Sequence, residues 1–393
     1  MSGAVVHRPV GGPFLDRTTR WLLLFVGLGA AAMLWRLVFG LGSVSNLSDG
    51  YPWGIWIALD VVVGTALGCG GYAVALLVYI LNRGKYHPLV RPAMLTSLLG
   101  YGLAVVAVTI DLGRFWSLWK VPVFFWRWTG SPQLEVALCV AAYVAVLLVE
   151  MSPALFEKWR DEPGNPRRQT AKKALRGLDR AMPWILALGL LLPTMHQSSL
   201  GTMMLLPGPR MHPLWFTPWL PFLFLVNCVV MGYGIVVLES AFSAWGFGRP
   251  RETEMLGRLG KVAFWVALFW TVFRVAEVAI SGDLIYIGRG LRSWFFVAEI
   301  LLHVVALAML ATPKLRARAD VQVRAAILLV AAGTLFRVDT YLVAFRPGAN
   351  WSYFPALPEI AITIGIFSLE VAIYLWAVRR FPILAVHQPA ESH

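Results

Sequence analysis

Ten long apolar runs, separated by short polar connectors, occupy almost the whole chain. A helix needs about 20 mostly apolar residues to cross a hydrocarbon core. The runs at about 18–40, 54–82, 91–116, 133–156, 182–206, 217–245, 258–281, 289–312, 321–345 and 353–379 meet that length. The pattern predicts an all-α integral membrane protein of about ten transmembrane helices, grouped as two four-helix bundles plus peripheral helices. The first run is too long for a signal-peptide core and stays apolar beyond Arg36, so it is expected to be retained as a span. The polytopic domain then covers about 18–380, with one bundle at about 54–206, a second at about 217–345 and a last span at about 353–379. It is flanked by a cytoplasmic N-terminal segment, about 1–17, and a cytoplasmic tail, about 381–393.

Composition sharpens this picture. Of 393 residues, 58% are hydrophobic and 14% charged, against about 25% charged in soluble domains, which excludes a water-soluble globule. The net charge of +13 raises the question of nucleic acid, but the basic residues lie between apolar runs and report orientation instead. Taking connectors alternately, 24 of the 34 Lys and Arg fall on the N-terminal side, 6 on the other and 4 within spans. The positive-inside rule puts both termini in the cytoplasm of a bacterial inner membrane. The basic connector DEPGNPRRQTAKKALRGLDR is expected to lie at the lipid headgroups. Cys69, Cys139 and Cys228 are scattered within apolar runs, with no spacing for a cluster or zinc. No metal site is expected in this chain.

Ionisable groups in mid-bilayer cost about 2.5–3.5 kcal/mol each on insertion scales, so each must face a neighbour, a cavity or a ligand. The outer half carries Asp60, Asp111, Arg114, Glu135, Arg274, Glu277, Arg337, Asp339 and Glu359, with His196 and Glu299 nearer the middle and Glu150, Glu239, His303 and Glu370 deeper. That imbalance points to a polar site near the outer face with a thinner trail leading inward. Asp111 with Arg114, and Arg274 with Glu277, stand at i,i+3, where each pair would neutralise itself. Asp60 precedes Gly64 and Gly68 on a face where packing glue explains it as well as chemistry does.

Glu135 and Glu150 lie about 22 Å apart along one helix and about 60° apart around it. This suits a proton route, or equally salt bridges to neighbouring helices. His196 sits in the polar HQSS tract after Pro193, as a donor to a ligand carbonyl or as an interhelical hydrogen bond; Tyr101 offers a phenolic donor or plain core. Axial haem ligation by two histidines requires both at one depth on facing helices. His196 and His303 differ in depth by several ångströms on a 1.5 Å rise, so no haem is expected.

Several strings together resemble the NrfD/polysulphide reductase family of membrane subunits, in particular those serving periplasmic nickel–iron hydrogenases of the second type. They are RLVFGLGSVSNL (36–47), YPWGIWIALDVVVGT (51–65), NRGKYHPLVRPAML (82–95), TIDLGRFW (109–116), LLPTMHQSSLG (191–201), MHPLW (211–215) and YLVAFRPGANWSYFP (341–355). The resemblance implies a quinone-reactive anchor, with menaquinone or ubiquinone as bound substrate and no haem or iron–sulfur cluster of its own. A ferredoxin-like iron–sulfur subunit would deliver electrons from hydrogenase large and small subunits on the periplasmic side, and the whole could pair as a dimer of complexes. It places Tyr101, Asp60, Asp111, Arg114, Glu135 and His196 around the quinone, with Glu135, His196, Asp111 and Glu150 carrying proton chemistry. Alternatives left open are a membrane quinone subunit of a molybdenum or other iron–sulfur oxidoreductase, a proton-coupled transporter, since buried charges also mark substrate paths, and an inert anchor.

Overall fold

A computed structural model describes residues 6–386; the ends of both terminal segments, 1–5 and 387–393, lie outside the described residues. Ten long helices follow one another: α1 (Arg17–Phe39), α2 (Trp56–Ile80), α3 (Gly84–Asp111), α4 (Pro132–Asp161), α5 (Arg168–Met203), α6 (Leu220–Gly246), α7 (Thr253–Ile280), α8 (Leu291–Leu310), α9 (Ala319–Val343) and α10 (Leu357–Arg380). Among the described residues nine of these are long and apolar enough to cross a membrane; α5 has the length, but its basic first turns and the HQSS tract dilute its apolar character. The protein is an all-α membrane fold. The α2–α5 helices pack on one another, as do α6–α9, and the two groups meet where α2 and α5 lie against α6, while α2 also touches α9. The first and last spans form a peripheral pair along α3 and α2. Large side chains such as Leu28, Leu34 and Trp35 on α1 and Trp294 and Leu301 on α8 are exposed, as a lipid-facing surface requires.

Local chemistry explains the element ends. Asp16 caps α1 by accepting from the Thr19 N–H at 2.8 Å, and it also pairs with Arg379 at the end of α10. Ser131 caps α4 with Pro132 at the first helical position, where its missing N–H costs nothing. Arg91 forks onto Glu157 at 2.6 and 2.7 Å, tying the start of α3 to the end of α4. Two short strands, β1 (Val6–Arg8) and β2 (Leu384–Val386), pair antiparallel, so the flanking segments are joined to each other.

Two boundaries differ from the hydropathy reading. The third run is expected to stay helical to about 116, but α3 stops at Asp111 and Leu112 is extended (ψ 122°). The basic connector does not lie apart from the fifth span: α5 is one 36-residue helix from Arg168 that runs through Pro183 and Pro193. Helix α2 is irregular for a sequence reason. It contains wide turns at Trp56–Val63 and Leu76–Ile80 and a break around Gly68 and Cys69. A Cβ on Gly68 would stand 2.9 Å from the Tyr101 ring, so glycine there is what lets α3 come close.

Candidate functional site

Where the broken middle of α2 meets α3 and α5, a cluster of hydroxyl, thiol, amide and imidazole groups is sealed from solvent. Tyr101 is fully buried, with its hydroxyl 3.3 Å from Cys69 Sγ. The Gln197 amide nitrogen donates among Tyr101 Oη at 3.4 Å, Thr65 Oγ1 at 3.3 Å and His196 Nε2 at 3.2 Å. With the amide so oriented, His196 Nε2 is an acceptor and the ring proton belongs on Nδ1, which is buried without a partner. The Tyr101 ring lies 5.1 Å from the His196 ring and packs edge-on against Tyr143 at 4.6 Å. Ser198 and Ser199 return their hydroxyls to carbonyls of their own helix, at Thr194 and Met195, so within the HQSS tract it is His196 and Gln197 that face the cluster.

Arg337 of α9 stands behind this group. Its three donors go to neutral oxygens: Asn227 Oδ1 at 2.8 Å, Val62 O at 3.0 Å and Phe224 O at 2.7 Å. No carboxylate among the described residues reaches it within ion-pair distance, and its charge acts on His196 and Tyr101. A buried cation with neutral partners stabilises negative charge developing beside it. As its position two residues from Asp339 predicts, Arg337 finds its partners on other helices.

The remaining expected site residues are distributed. Glu150 packs against α5, where a Cβ on Gly189 would lie 2.8 Å from its Oε1. It lines a cavity of about 10 Å³ with Tyr72, Tyr79 and Tyr143, room for about one water. Tyr143 thus stands between Glu150 and Tyr101, sharing the cavity with the first and packing its ring on the second. Glu135, in the first turn of α4, is exposed and makes no side-chain hydrogen bond among the described residues. Asp60 belongs to a different side of α2, where Thr363 of α10 donates to its Oδ2 at 2.9 Å. Asp111 lies within electrostatic reach of Arg36 and Glu359. Because α3 ends at Asp111, the i,i+3 geometry is lost and Arg114 is exposed on the connector that follows. Arg36 instead donates to the carbonyls of Ile110 and Leu112, at 2.7 Å for the first, satisfying the open end of α3. The Tyr101–His196 group thus lies about 15 Å along α3 from its Asp111 end, while Asp60, Asp111, Arg114 and Glu135 stand nearer that end.

The second bundle holds its own polar group. Arg274 pairs with Glu277, as the i,i+3 spacing predicts, and approaches Glu299 at 3.6 Å. His303 is stacked on Trp270 at 4.4 Å, with Nδ1 3.0 Å from Glu299 O. His196 and His303 thus serve different bundles. Sequence reading passed over Cys69, Thr65, Tyr143 and Asn227; their common signal is small or polar character within the glycine-broken α2 and its neighbours, visible only as packing.

The model of the family described as "Polysulphide reductase, NrfD" matches residues 43–343. Across 388 residues the chain is 38% identical to the "Probable Ni/Fe-hydrogenase 2 b-type cytochrome subunit" of Escherichia coli K12, covering 96% of this chain and 95% of that one. It is 27% identical over 402 residues to the "Menaquinone reductase, integral membrane subunit" of Nitratidesulfovibrio vulgaris, covering 94% and 92%. With nine helices among the described residues fit to cross a membrane and a family match running from just after α1 to the end of α9, the chain is a multi-pass membrane protein of the NrfD polysulphide reductase family.

Proposed function

We propose that this chain is the quinone-reactive membrane subunit of a periplasm-facing nickel–iron hydrogenase complex. A ferredoxin-like iron–sulfur subunit hands electrons to it at the outer face of the bacterial inner membrane, and both termini are cytoplasmic. The observation that carries the reading is the buried His196 Nδ1, a ring nitrogen without a partner that donates in the tautomer whose Nε2 accepts from Gln197, beside Tyr101 and in the field of Arg337. A quinone carbonyl is the acceptor such a donor fits: reduction places negative charge on oxygen, and donors already aimed at that oxygen stabilise it. His196 holds the headgroup, Tyr101 passes a proton at its hydroxyl, and Glu150 supplies it across Tyr143. Met195 and Leu191 on the neighbouring face of α5 are exposed, so the cluster lies one side chain from lipid, the reservoir of quinone. The paired axial histidines that a b-type haem needs are not offered by His196 and His303, so no step is assigned to a haem.

Deleting this chain is expected to abolish hydrogen-dependent quinone reduction while hydrogen-dependent dye reduction by the soluble subunits persists. Retained quinone reduction would defeat the proposal, and a proton-coupled transporter would leave it untouched. The similarity to a menaquinone reductase subunit favours a second reading, in which a molybdenum or other iron–sulfur module replaces the hydrogenase. Metal analysis of the intact complex separates them, with nickel expected.

A further inference from the structure

At the end of the bundle where the β1–β2 ribbon forms, a cleft of about 330 Å³ opens between the start of α3, the last turns of α6 and the α6–α7 connector. Small-molecule sites occupy about 300–1,000 Å³, so the cleft is large enough to hold one. Val10, Leu89 and Val236 supply apolar wall. Two arginines, Arg8 and Arg249, face two carboxylates, Glu239 and Glu252, across the same space, and Ser240 and Ser243 add hydroxyls from α6.

These groups suit a ligand that carries both signs. Arg249 donates to the Ala385 carbonyl through Nη2, and a guanidinium has five N–H donors in all, so the fork that holds the ribbon keeps donors for an anion. Glu239 Oε1 accepts the Tyr374 hydroxyl at 2.6 Å, and a carboxylate accepts several donors at once. Ser243 stands one turn along α6 from Glu239. It is only 8% exposed, and its Oγ has no hydrogen-bond partner among the described residues, a state that is unfavourable until a polar group enters beside it. A purely anionic ligand would set its charge against Glu239 and Glu252, and a purely cationic one against Arg8 and Arg249. A zwitterion satisfies both.

Position gives the chemical class. The cleft lies where α6 ends at Gly246 and α7 begins at Thr253, the level at which a spanning chain leaves hydrocarbon for the headgroup layer. Phe242 stands about 60° around α6 from Glu239, with Trp245 beyond it. Both are exposed, Trp245 to 76%, and aromatic rings of this kind settle among lipid headgroups. We propose that the cleft is a headgroup site for an ethanolamine phospholipid. Arg8 and Arg249 hold its phosphate, Glu239 holds its ammonium, Ser243 bonds between them, and the glycerol end leaves past Phe242 toward the bilayer. So filled, the cleft ties both flanking strands to α3 and α6. The site is separate from the Tyr101–His196 cluster and does not depend on the quinone reading.

The test uses the full chain in detergent, stripped of lipid and titrated with phosphatidylethanolamine or phosphatidylglycerol of the same acyl chains, with bound lipid counted by native mass spectrometry. One phosphatidylethanolamine per chain is expected to bind at least fivefold more tightly than phosphatidylglycerol. Glu239→Gln, which keeps the shape and an acceptor for Tyr374, is expected to abolish that preference. Ser243→Leu, which fills the cleft, is expected to weaken binding of phosphatidylethanolamine at least tenfold. Arg249→Gln, which keeps an amide donor for Ala385, carries the same tenfold expectation should either variant fail to fold. Equal or tighter binding of phosphatidylglycerol by the wild-type chain overturns the proposal in favour of an anion site. Binding unchanged in the folded variants overturns it as well, since the lipid then lies elsewhere on the surface.

Discussion

Arg337 and Asn227, 110 residues apart, are joined by a 2.8 Å hydrogen bond from Nε to Oδ1 that links α9 to α6. The other two donors of the same guanidinium reach carbonyls of α2 and α6. One planar fork therefore holds three helices from both bundles, a geometry that a lysine's single ammonium does not reproduce. Arg337→Met removes all three bonds and leaves the buried Asn227 amide oxygen without a donor, the two carbonyls keeping their places within helices; at about 1–3 kcal/mol for one such group, it is expected to destabilise the folded chain by at least about 1 kcal/mol. Thermal unfolding in detergent reads this; an unchanged midpoint would show that the fork holds nothing.

His196→Ala removes the donor assigned to the quinone oxygen. Loss of one such donor costs about 100-fold in turnover where it is aimed at developing charge, and quinone reduction is expected to fall by about that factor with dye-linked hydrogen oxidation unaltered. Activity within a few-fold of wild type would move His196 back to helix packing.

Glu150→Gln keeps the shape beside Gly189 but cannot release a proton. It is expected to slow quinone reduction about 10-fold or more while the amount of assembled complex stays near wild type. An equal loss of complex and of activity would make Glu150 a packing residue.

His212 gives a pH dependence outside the spans. It lies buried in the connector between α5 and α6, where its N–H donates to Ala344 O at 2.8 Å and its Nδ1 accepts from Leu214 N–H at 3.2 Å. Burial, with Arg346 and Arg292 adding to it, pushes its pKa down from 6.5 to about 4. The folded state therefore binds the proton less readily than the unfolded one. The stabilisation is complete above about pH 6.5 and is lost as pH falls through the interval to about 4. Protection factors at the His212 and Arg346 amides, each referred to the intrinsic exchange rate at the same pH, are expected to fall as pH drops across that interval, and His212→Gln to flatten the response. Protection that stays constant down to pH 4 would contradict the assignment.

Much of this protein was legible along the chain because the governing costs are local. A run of about 20 apolar residues is a span whatever it packs against, and a charge inside one must find a partner whichever helix supplies it. Hence the all-α membrane fold, the family and most of the buried polar residues follow from sequence, while Arg114 and Glu135 are exposed. Partner choice does not, since helix ends, rotation and crossing depend on contacts between residues far apart. Asp111 lost Arg114 because α3 stops at Asp111, three residues too early for the pair to share a helix, and Arg36 came to that end from another span. Tyr101 and His196 met because glycine at position 68 lets α3 close on a broken α2. The pairing of Tyr374 with Glu239, across 135 residues, exists only because α6 and α10 come together there. Sequence thus decided which groups must be accommodated inside the bilayer, and tertiary packing decided which of them face one another.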